Sequence, residues 1–160
     1  MVNKLKANSG FTLIETVVVL GIFSVIVGGL YSTLLAGKKV WSENESQAIA
    51  QRSVRQTLAV MTGDLRVAQY INLTQSSSSV AVDFFHPVAG PITYSWATTG
   101  ANANKIIRTT DTGSQILGQY ISQLSFNDNT NYVLVNIQAS VPTDQGDSVE
   151  YDLVKKIAKR

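Results

Sequence analysis

Residues 10–37 decide the fold of this chain, and they read GFTLIETVVVLGIFSVIVGGLYSTLLAG. Within them, residues 16–37 contain no Asp, Glu, Lys, Arg or His. As a helix rising about 1.5 Å per residue, this segment extends roughly 33 Å, which is enough to cross a bilayer core of about 30 Å. The sequence therefore predicts a membrane-spanning helix near its start.

The flanks of the apolar segment carry charges that any interpretation must explain. Lys4 and Lys6 precede it and Lys38 and Lys39 follow it, so the basic residues alone give no orientation. A secretory signal peptide would have a shorter apolar stretch, of about 7–15 residues, followed by a small-residue cleavage site. Glu15 lies at the membrane edge, where a deep, unpaired carboxylate costs about 2–3 kcal/mol. We therefore expect Glu15 to have a partner.

Composition points to the membrane and away from several kinds of chemistry. Only 15% of the 160 residues are charged, against roughly 25% in an average soluble protein. The absence of cysteine excludes a disulfide framework, a CxxC redox site and a Cys-ligated metal. A net charge of +2 gives no reason to expect a nucleic-acid partner.

A short motif at the start of the apolar segment resembles a known processing signal. Gly10-Phe11-Thr12-Leu13-Ile14-Glu15, behind a short basic leader, is similar to the class III signal of type IV pilins and type II secretion pseudopilins. This resemblance implies that a membrane-embedded prepilin peptidase cuts between Gly10 and Phe11 and then N-methylates Phe11. It also implies a cytoplasmic leader, a bacterial inner-membrane anchor and a C-terminal domain in the periplasm or exterior.

The same resemblance supplies a partner for Glu15. Cleavage after Gly10 creates an α-ammonium on Phe11, and in the family the acid at this position is thought to attract the N-terminus of a neighbouring subunit. Such a pair attracts strongly in a low dielectric, although desolvation of both ions reduces the net gain. We therefore expect it to seat each new subunit one step along a filament. The alternative is a carboxylate that only marks the membrane edge.

Beyond the membrane segment, residues 38–72 predict an amphipathic helix. One apolar stripe recurs at spacings of four, three, four and three, formed by Val54, Leu58, Met61, Leu65 and Ala68. We expect this stripe to pack on a sheet, because a homomeric coiled coil usually needs three to four sustained heptads. Residues 41–51 are more polar, which predicts a solvated stalk or a surface for neighbouring subunits.

The end of this helix carries a second, weaker resemblance. Residues 51–66 are similar to the distal helix of J-type minor pseudopilins and W-type minor pilins, which tend to show an Asp-Leu-Arg sequence near its end. Here that sequence is Asp64-Leu65-Arg66, and we interpret the two charges as surface residues. Major pilins usually carry a proline in the membrane helix, whereas this chain has none before Pro87.

The remaining residues, 73–160, predict a globular β-sheet domain. A polar loop is expected at residues 74–79, and β-prone runs separated by turn compositions lie at residues 80–85, 92–97, 105–110, 120–126, 132–141 and 148–157. Alternation of apolar and polar residues in the last two runs predicts antiparallel strands with one buried face. The predicted fold is α+β: a long N-terminal helix, with a membrane half (residues 11–37) and an amphipathic half, packed on an antiparallel sheet behind a leader of residues 1–10.

Residues that could carry chemistry are few. His86 is the single histidine and precedes Pro87 in an apparent turn, and the sequence contains no nucleophile elbow, phosphate loop or dinucleotide fingerprint. Asp144, Asp147 and acids of the following strand do not have the spacing of a calcium loop. We expect no catalytic residue, no metal and no cofactor.

The sequence therefore predicts a non-enzymatic minor pilin or minor pseudopilin. The partners implied by the resemblance are the prepilin peptidase/methyltransferase, other major and minor pilins or pseudopilins, the inner-membrane assembly platform and the lipid bilayer. Two alternatives stay open. One is a major pilin, and the other is a permanently anchored binding, adhesion or DNA-uptake domain.

Overall fold

The fold was obtained as a computed structural model, which describes residues 11–158. This part of the chain contains the helix α1 (Leu13–Arg66), followed by the strands β1 (Ile71–Gln75), β2 (Ser79–His86), β3 (Gly90–Ala97), β4 (Ile106–Thr110), β5 (Gly113–Gly118), β6 (Ile121–Asp128), β7 (Tyr132–Pro142) and β8 (Ser148–Ala158). A long N-terminal helix followed by antiparallel strands confirms the predicted α+β class.

The strands form two sheets where the sequence predicted one. The first has the order β1-β2-β3-β4-β5 and the second the order β6-β7-β8, with antiparallel neighbours throughout. Only Gln119 and Tyr120 connect β5 to β6, and Tyr120 has a positive φ of 60°. This left-handed residue turns the chain out of the first sheet. Ile121 then donates its N–H to the Asn104 carbonyl at 2.9 Å.

Two short strands and the helix end differ from the sequence-based expectation. The helix ends at Arg66, before the predicted boundary at residue 72, and β1 begins at Ile71. Ile71 and Leu73 pack against the core while Asn72 and Thr74 lie on the other face, which is strand alternation within a mostly polar sequence. The strand β5 was also missed, because most of its residues are exposed and its ends are glycines.

The chain divides into two compact units, Met1–Trp41 and Ser42–Arg160. In the first unit, every described residue, 11–41, is exposed. Four of its hydroxyl groups bond inside the helix, because each donates to the carbonyl four residues earlier: Thr16 to Thr12, Ser24 to Leu20, Ser32 to Gly28 and Thr33 to Gly29. This arrangement leaves the helix surface compatible with an apolar environment.

The second unit contains the hydrophobic core. As predicted, the α1 stripe is buried, and Val54 and Met61 are fully inaccessible. Both sheets contribute alternating buried side chains, among them Val82, Phe84, Tyr94, Ile106, Val135 and Ile137. Burial of one such aliphatic or aromatic side chain contributes about 1.5–3 kcal/mol, so the helix face is needed to complete a core of this size.

One face of the polar part of α1 is packed, and the remaining residues of the range 41–51 are mostly exposed, so the expected solvated stalk is only partly solvated. Ser42 and Ser46 are buried, and Ala50, one turn further along the helix, is fully inaccessible to solvent. Small hydroxyl side chains let the helix approach loop backbone closely and bond to it. Ser46 Oγ donates to the Pro142 carbonyl at 3.1 Å, and Ser42 Oγ accepts the backbone N–H of Asp144 at 3.0 Å.

Candidate functional site

The first turn of α1 is built by a local capping interaction. Thr12 immediately precedes the helix, and its Oγ1 accepts the backbone N–H of Glu15 at 3.3 Å. The Thr12 carbonyl accepts the N–H of Thr16 at 3.2 Å. Threonine at the N-cap with glutamate three residues later is the capping-box pattern, which satisfies N–H groups that the helix itself leaves free. The helix therefore starts directly after Phe11 and Thr12.

The two described residues of the predicted site lie on either side of this cap. Phe11 is 79% exposed before the helix, and Glu15 lies exposed in its first turn, where the helix dipole favours a negative charge. Gly10, the other residue of the predicted cleavage site, lies outside the described residues. Within residues 11–158, no cation pairs with the Glu15 carboxylate.

The surface around this site is almost entirely apolar. Fifteen large hydrophobic side chains from Leu13 to Leu35 are between 46% and 84% exposed. The helix is long and apolar enough to cross a membrane. Removing apolar surface from water is worth about 25 cal/mol per Å², so this segment requires lipid or other apolar helices around it. The apolar helix indicates membrane anchoring.

A second site lies at the other end of α1. Asp64 Oδ2 accepts the Tyr94 hydroxyl at 2.6 Å and the Arg108 Nε–H at 2.8 Å, so one oxygen joins α1, β3 and β4. Both ion-pair side chains are mostly covered, with 15% of Asp64 and 20% of Arg108 exposed. Asp64 is therefore a largely covered structural contact, which corrects its interpretation as a surface charge. Burial and the hydrogen bond to Asp64 raise the pKa of Tyr94, and the hydrogen bond to Asp64 raises the pKa of Arg108.

His86, the candidate chemical residue of the C-terminal unit, makes a structural contact. His86 Nδ1 accepts the backbone N–H groups of Val88 and Ala89 at 3.1 and 3.0 Å, and so holds the β2–β3 turn. Among residues 11–158, no group of three or more His, Asp or Glu side chains is placed to hold a metal ion.

The helix contacts that sequence reasoning missed follow one face. Ser42, Ser46, Ala50 and Ser53 continue the buried stripe toward the N-terminus at spacings of four, four and three. Ser53 Oγ donates to the Gln119 carbonyl at 2.8 Å and accepts the Gln119 N–H at 2.9 Å. The spacing of these small residues was visible in the sequence, but serine is usually exposed and its contacts here go to backbone of distant loops.

Comparison with known proteins supports the processing signal. Residues 5–31 match the family model described as the prokaryotic N-terminal methylation motif. This motif and the α+β fold support the resemblance to the type IV pilin and pseudopilin family, a family of structural subunits. No curated protein and no solved structure matches the chain.

Proposed function

We propose that this protein is a minor pilin or minor pseudopilin, a non-enzymatic subunit of a type IV pilus or a type II secretion-type filament. The N-terminal methylation motif, continued by an exposed apolar helix, carries the proposal. A prepilin peptidase cleaves after Gly10 and methylates Phe11, and the chain then assembles with other pilins. The absence of proline before Pro87 favours a minor subunit over a major one.

Before assembly, residues 11–37 cross the bacterial inner membrane, and the C-terminal domain faces the periplasm or exterior. The assembly platform then transfers the helix from lipid to the apolar core of the filament. Both environments are apolar, so one sequence serves both states. The residues after 37 form the remainder of the helix and the globular part, and they remain outside the membrane.

Glu15 provides the register contact in this proposal. Glu15 follows Phe11 by four residues and lies in the first turn of α1, and cleavage creates an α-ammonium on Phe11 of each subunit. The carboxylate of an incoming subunit attracts the ammonium of its neighbour, and the low dielectric of the membrane strengthens that attraction. Since Thr12 caps the helix through the backbone N–H of Glu15, the carboxylate charge itself is available for pairing.

The substitution Glu15→Gln removes the carboxylate charge and leaves the backbone N–H that Thr12 caps. Glutamine suits the same capping-box position and keeps the side-chain shape, so the helix start is expected to persist. We expect the variant to be cleaved and methylated normally, yet to be strongly depleted from sheared filaments. Quantitative mass spectrometry of membranes and filaments from the same cells measures both quantities. Incorporation at the wild-type level would contradict the register role of Glu15.

A further inference from the structure

The outer edge of β8 is a long strand edge without a neighbour among the described residues. β8 (Ser148–Ala158) has eleven residues and pairs with β7 alone. An edge of this length presents unpaired backbone N–H and C=O groups that can accept another strand. Lysine often protects such edges. Of the two lysines of β8, Lys155 is exposed, and the ammonium of Lys156 lies 4.0 Å from the ring centroid of Tyr132 on the neighbouring strand. Lys156 is therefore held over the sheet.

A groove of about 310 Å³ lies between this strand and α1. Its apolar lining comes from Leu58 and Ala59 of α1 and from Leu153 of β8. Thr62 also lines it, but its hydroxyl already donates to the Leu58 carbonyl at 2.6 Å. A strand added to β8 would lie beside this groove, and its inward side chains would meet the apolar lining.

The groove is cationic. Arg55 and Lys155 complete its lining, both are exposed, and neither forms an ion pair with any residue in the range 11–158. Glu150 of β8 does not neutralise this groove, because it lies on the opposite face of the sheet and accepts the Gln138 side-chain amide at 3.1 Å. An arginine and a lysine on the two sides of an apolar cleft match a ligand that carries both carboxylates and apolar side chains.

We propose that the β8 edge and the α1–β8 groove bind an extended, acidic segment of another filament subunit. The segment adds a strand to β8 through backbone hydrogen bonds, places an apolar side chain on Leu58 and Leu153, and directs a carboxylate between Arg55 and Lys155. Strand addition of this kind combines backbone affinity with side-chain specificity. The proposal rests on the proposed function, because the partner is a neighbouring subunit of the filament.

Hydrogen exchange and charge reversal test the proposal together. Amide exchange of the full-length mature protein is measured in detergent micelles, in vesicles of phosphatidylethanolamine and phosphatidylglycerol, and in purified filaments. Strand addition predicts slowed exchange at alternate residues of β8 in filaments alone. The double variant Arg55→Glu/Lys155→Glu is expected to be cleaved normally and to lose most of its incorporation. Arg52→Glu, on the same helix but outside this groove, is the matched control and is expected to retain it.

Each other outcome contradicts a defined part of the proposal. Unslowed exchange of β8 in filaments that contain the protein would overturn strand addition. Normal incorporation of the double variant would overturn the acidic character of the partner. Slowed exchange already present in vesicles would assign the edge to lipid or to a second copy of this chain, and would overturn a heterologous subunit as the occupant. Absence of the wild-type protein from filaments would instead contradict the proposed function, and its abundance in sheared filaments measures this separately.

Discussion

Asp64 and Arg108 form an ion pair that joins the last turn of α1 to β4, with Oδ2 of the carboxylate 2.8 Å from Nε of the guanidinium. The same oxygen accepts the Tyr94 hydroxyl, and Tyr94 itself is fully inaccessible. The neighbouring Leu65 enters the core. One turn of helix thus combines an apolar contact with a charge-assisted contact, and together these fix where the helix ends on the sheet.

Asp64→Ala should destabilise the C-terminal unit. The change leaves a covered hydroxyl and a mostly covered guanidinium without their acceptor, which costs about 1–3 kcal/mol. Urea unfolding of the detergent-solubilised protein, followed by fluorescence of the buried Trp96, measures the change. Asp147→Ala, in the exposed β7–β8 loop, is the control and should lie within about 0.5 kcal/mol of wild type. Equal stability of the two variants would contradict the structural role of Asp64.

The raised pKa of Tyr94 predicts that the folded protein loses stability at alkaline pH. Burial and the Asp64 hydrogen bond raise the pKa of Tyr94 in the folded state, whereas an unfolded tyrosine titrates near pH 10. Above about pH 10 the unfolded chain releases this proton and the folded chain retains it, so the free energy of unfolding falls as pH rises. The stabilising contribution is complete below that pH.

Tyr94→Phe removes this titration and serves as the comparison. We expect its free energy of unfolding to decrease less between pH 9 and pH 11 than that of wild type, although the variant is less stable at neutral pH. Parallel curves for the two proteins over this range would show that Tyr94 does not carry the predicted linkage.

Glycine at position 118 is required by the close approach of α1. A Cβ atom built on Gly118 would lie 2.5 Å from Thr57 Oγ1, in a contact where Thr57 is fully buried and bonded to the Ser53 carbonyl. Gly118→Ala should therefore destabilise by about 1–3 kcal/mol. Gly63→Ala, on an open surface of the helix, should stabilise by about 0.5–1 kcal/mol. Glycine-to-alanine substitution is thus expected to lower the free energy of unfolding at position 118 and to raise it at position 63. A change of the same sign at both positions would contradict the packing of α1 on Gly118.

Ser53→Ala should weaken the attachment of α1 to the β5–β6 connection. The serine hydroxyl bonds both the N–H and the carbonyl of Gln119, so both groups lose a partner in the variant. Because the site is accessible to water, we expect a modest cost of about 1 kcal/mol. Thermal unfolding compared with Ser148→Ala, whose hydroxyl lies on the exposed start of β8, provides the measurement. A shift no larger than that of the control would show that water replaces the serine without loss.

The proposed cleavage after Gly10 predicts that processing depends strongly on the size of residue 10. Replacement of Gly10 by leucine should block access of the peptidase and leave the full-length precursor in the membrane, whereas Gly10→Ala is expected to retain some processing. Immunoblots of membrane fractions distinguish precursor from mature chain by mobility. Normal maturation of Gly10→Leu would contradict cleavage at this position.

The fold class followed from local pattern, because the apolar run, the Val54–Leu65 stripe and the strand alternation each report a single buried or lipid-facing surface. The division into two sheets did not follow, since it depends on the left-handed conformation of Tyr120, a residue type that rarely adopts it. The strands β1 and β5 were missed for a related reason. Pairing with β2 and β4 stabilises them despite their polar or exposed sequences.

The N-terminal methylation motif was visible in the sequence because its pattern is contained in adjacent residues, and the family model matches residues 5–31. The Asp64 contact was not, because its partners lie 30 and 44 residues away and nothing local identifies a tyrosine and an arginine on neighbouring strands as its ligands. The serine contacts of α1 were missed because their partners are backbone N–H and C=O groups. Every residue type carries a backbone carbonyl and nearly every one an N–H, so no side chain in the sequence identifies the partner.

The most direct test of the account is the mass of the N-terminal peptide of the protein recovered from its native membranes. The account predicts a chain that begins at Phe11 and carries one added methyl group on its amino nitrogen. A chain that begins at or near Met1, in cells whose prepilin peptidase is active, would contradict processing. The apolar segment would then be a permanent anchor, and the C-terminal unit would be a membrane-anchored binding domain.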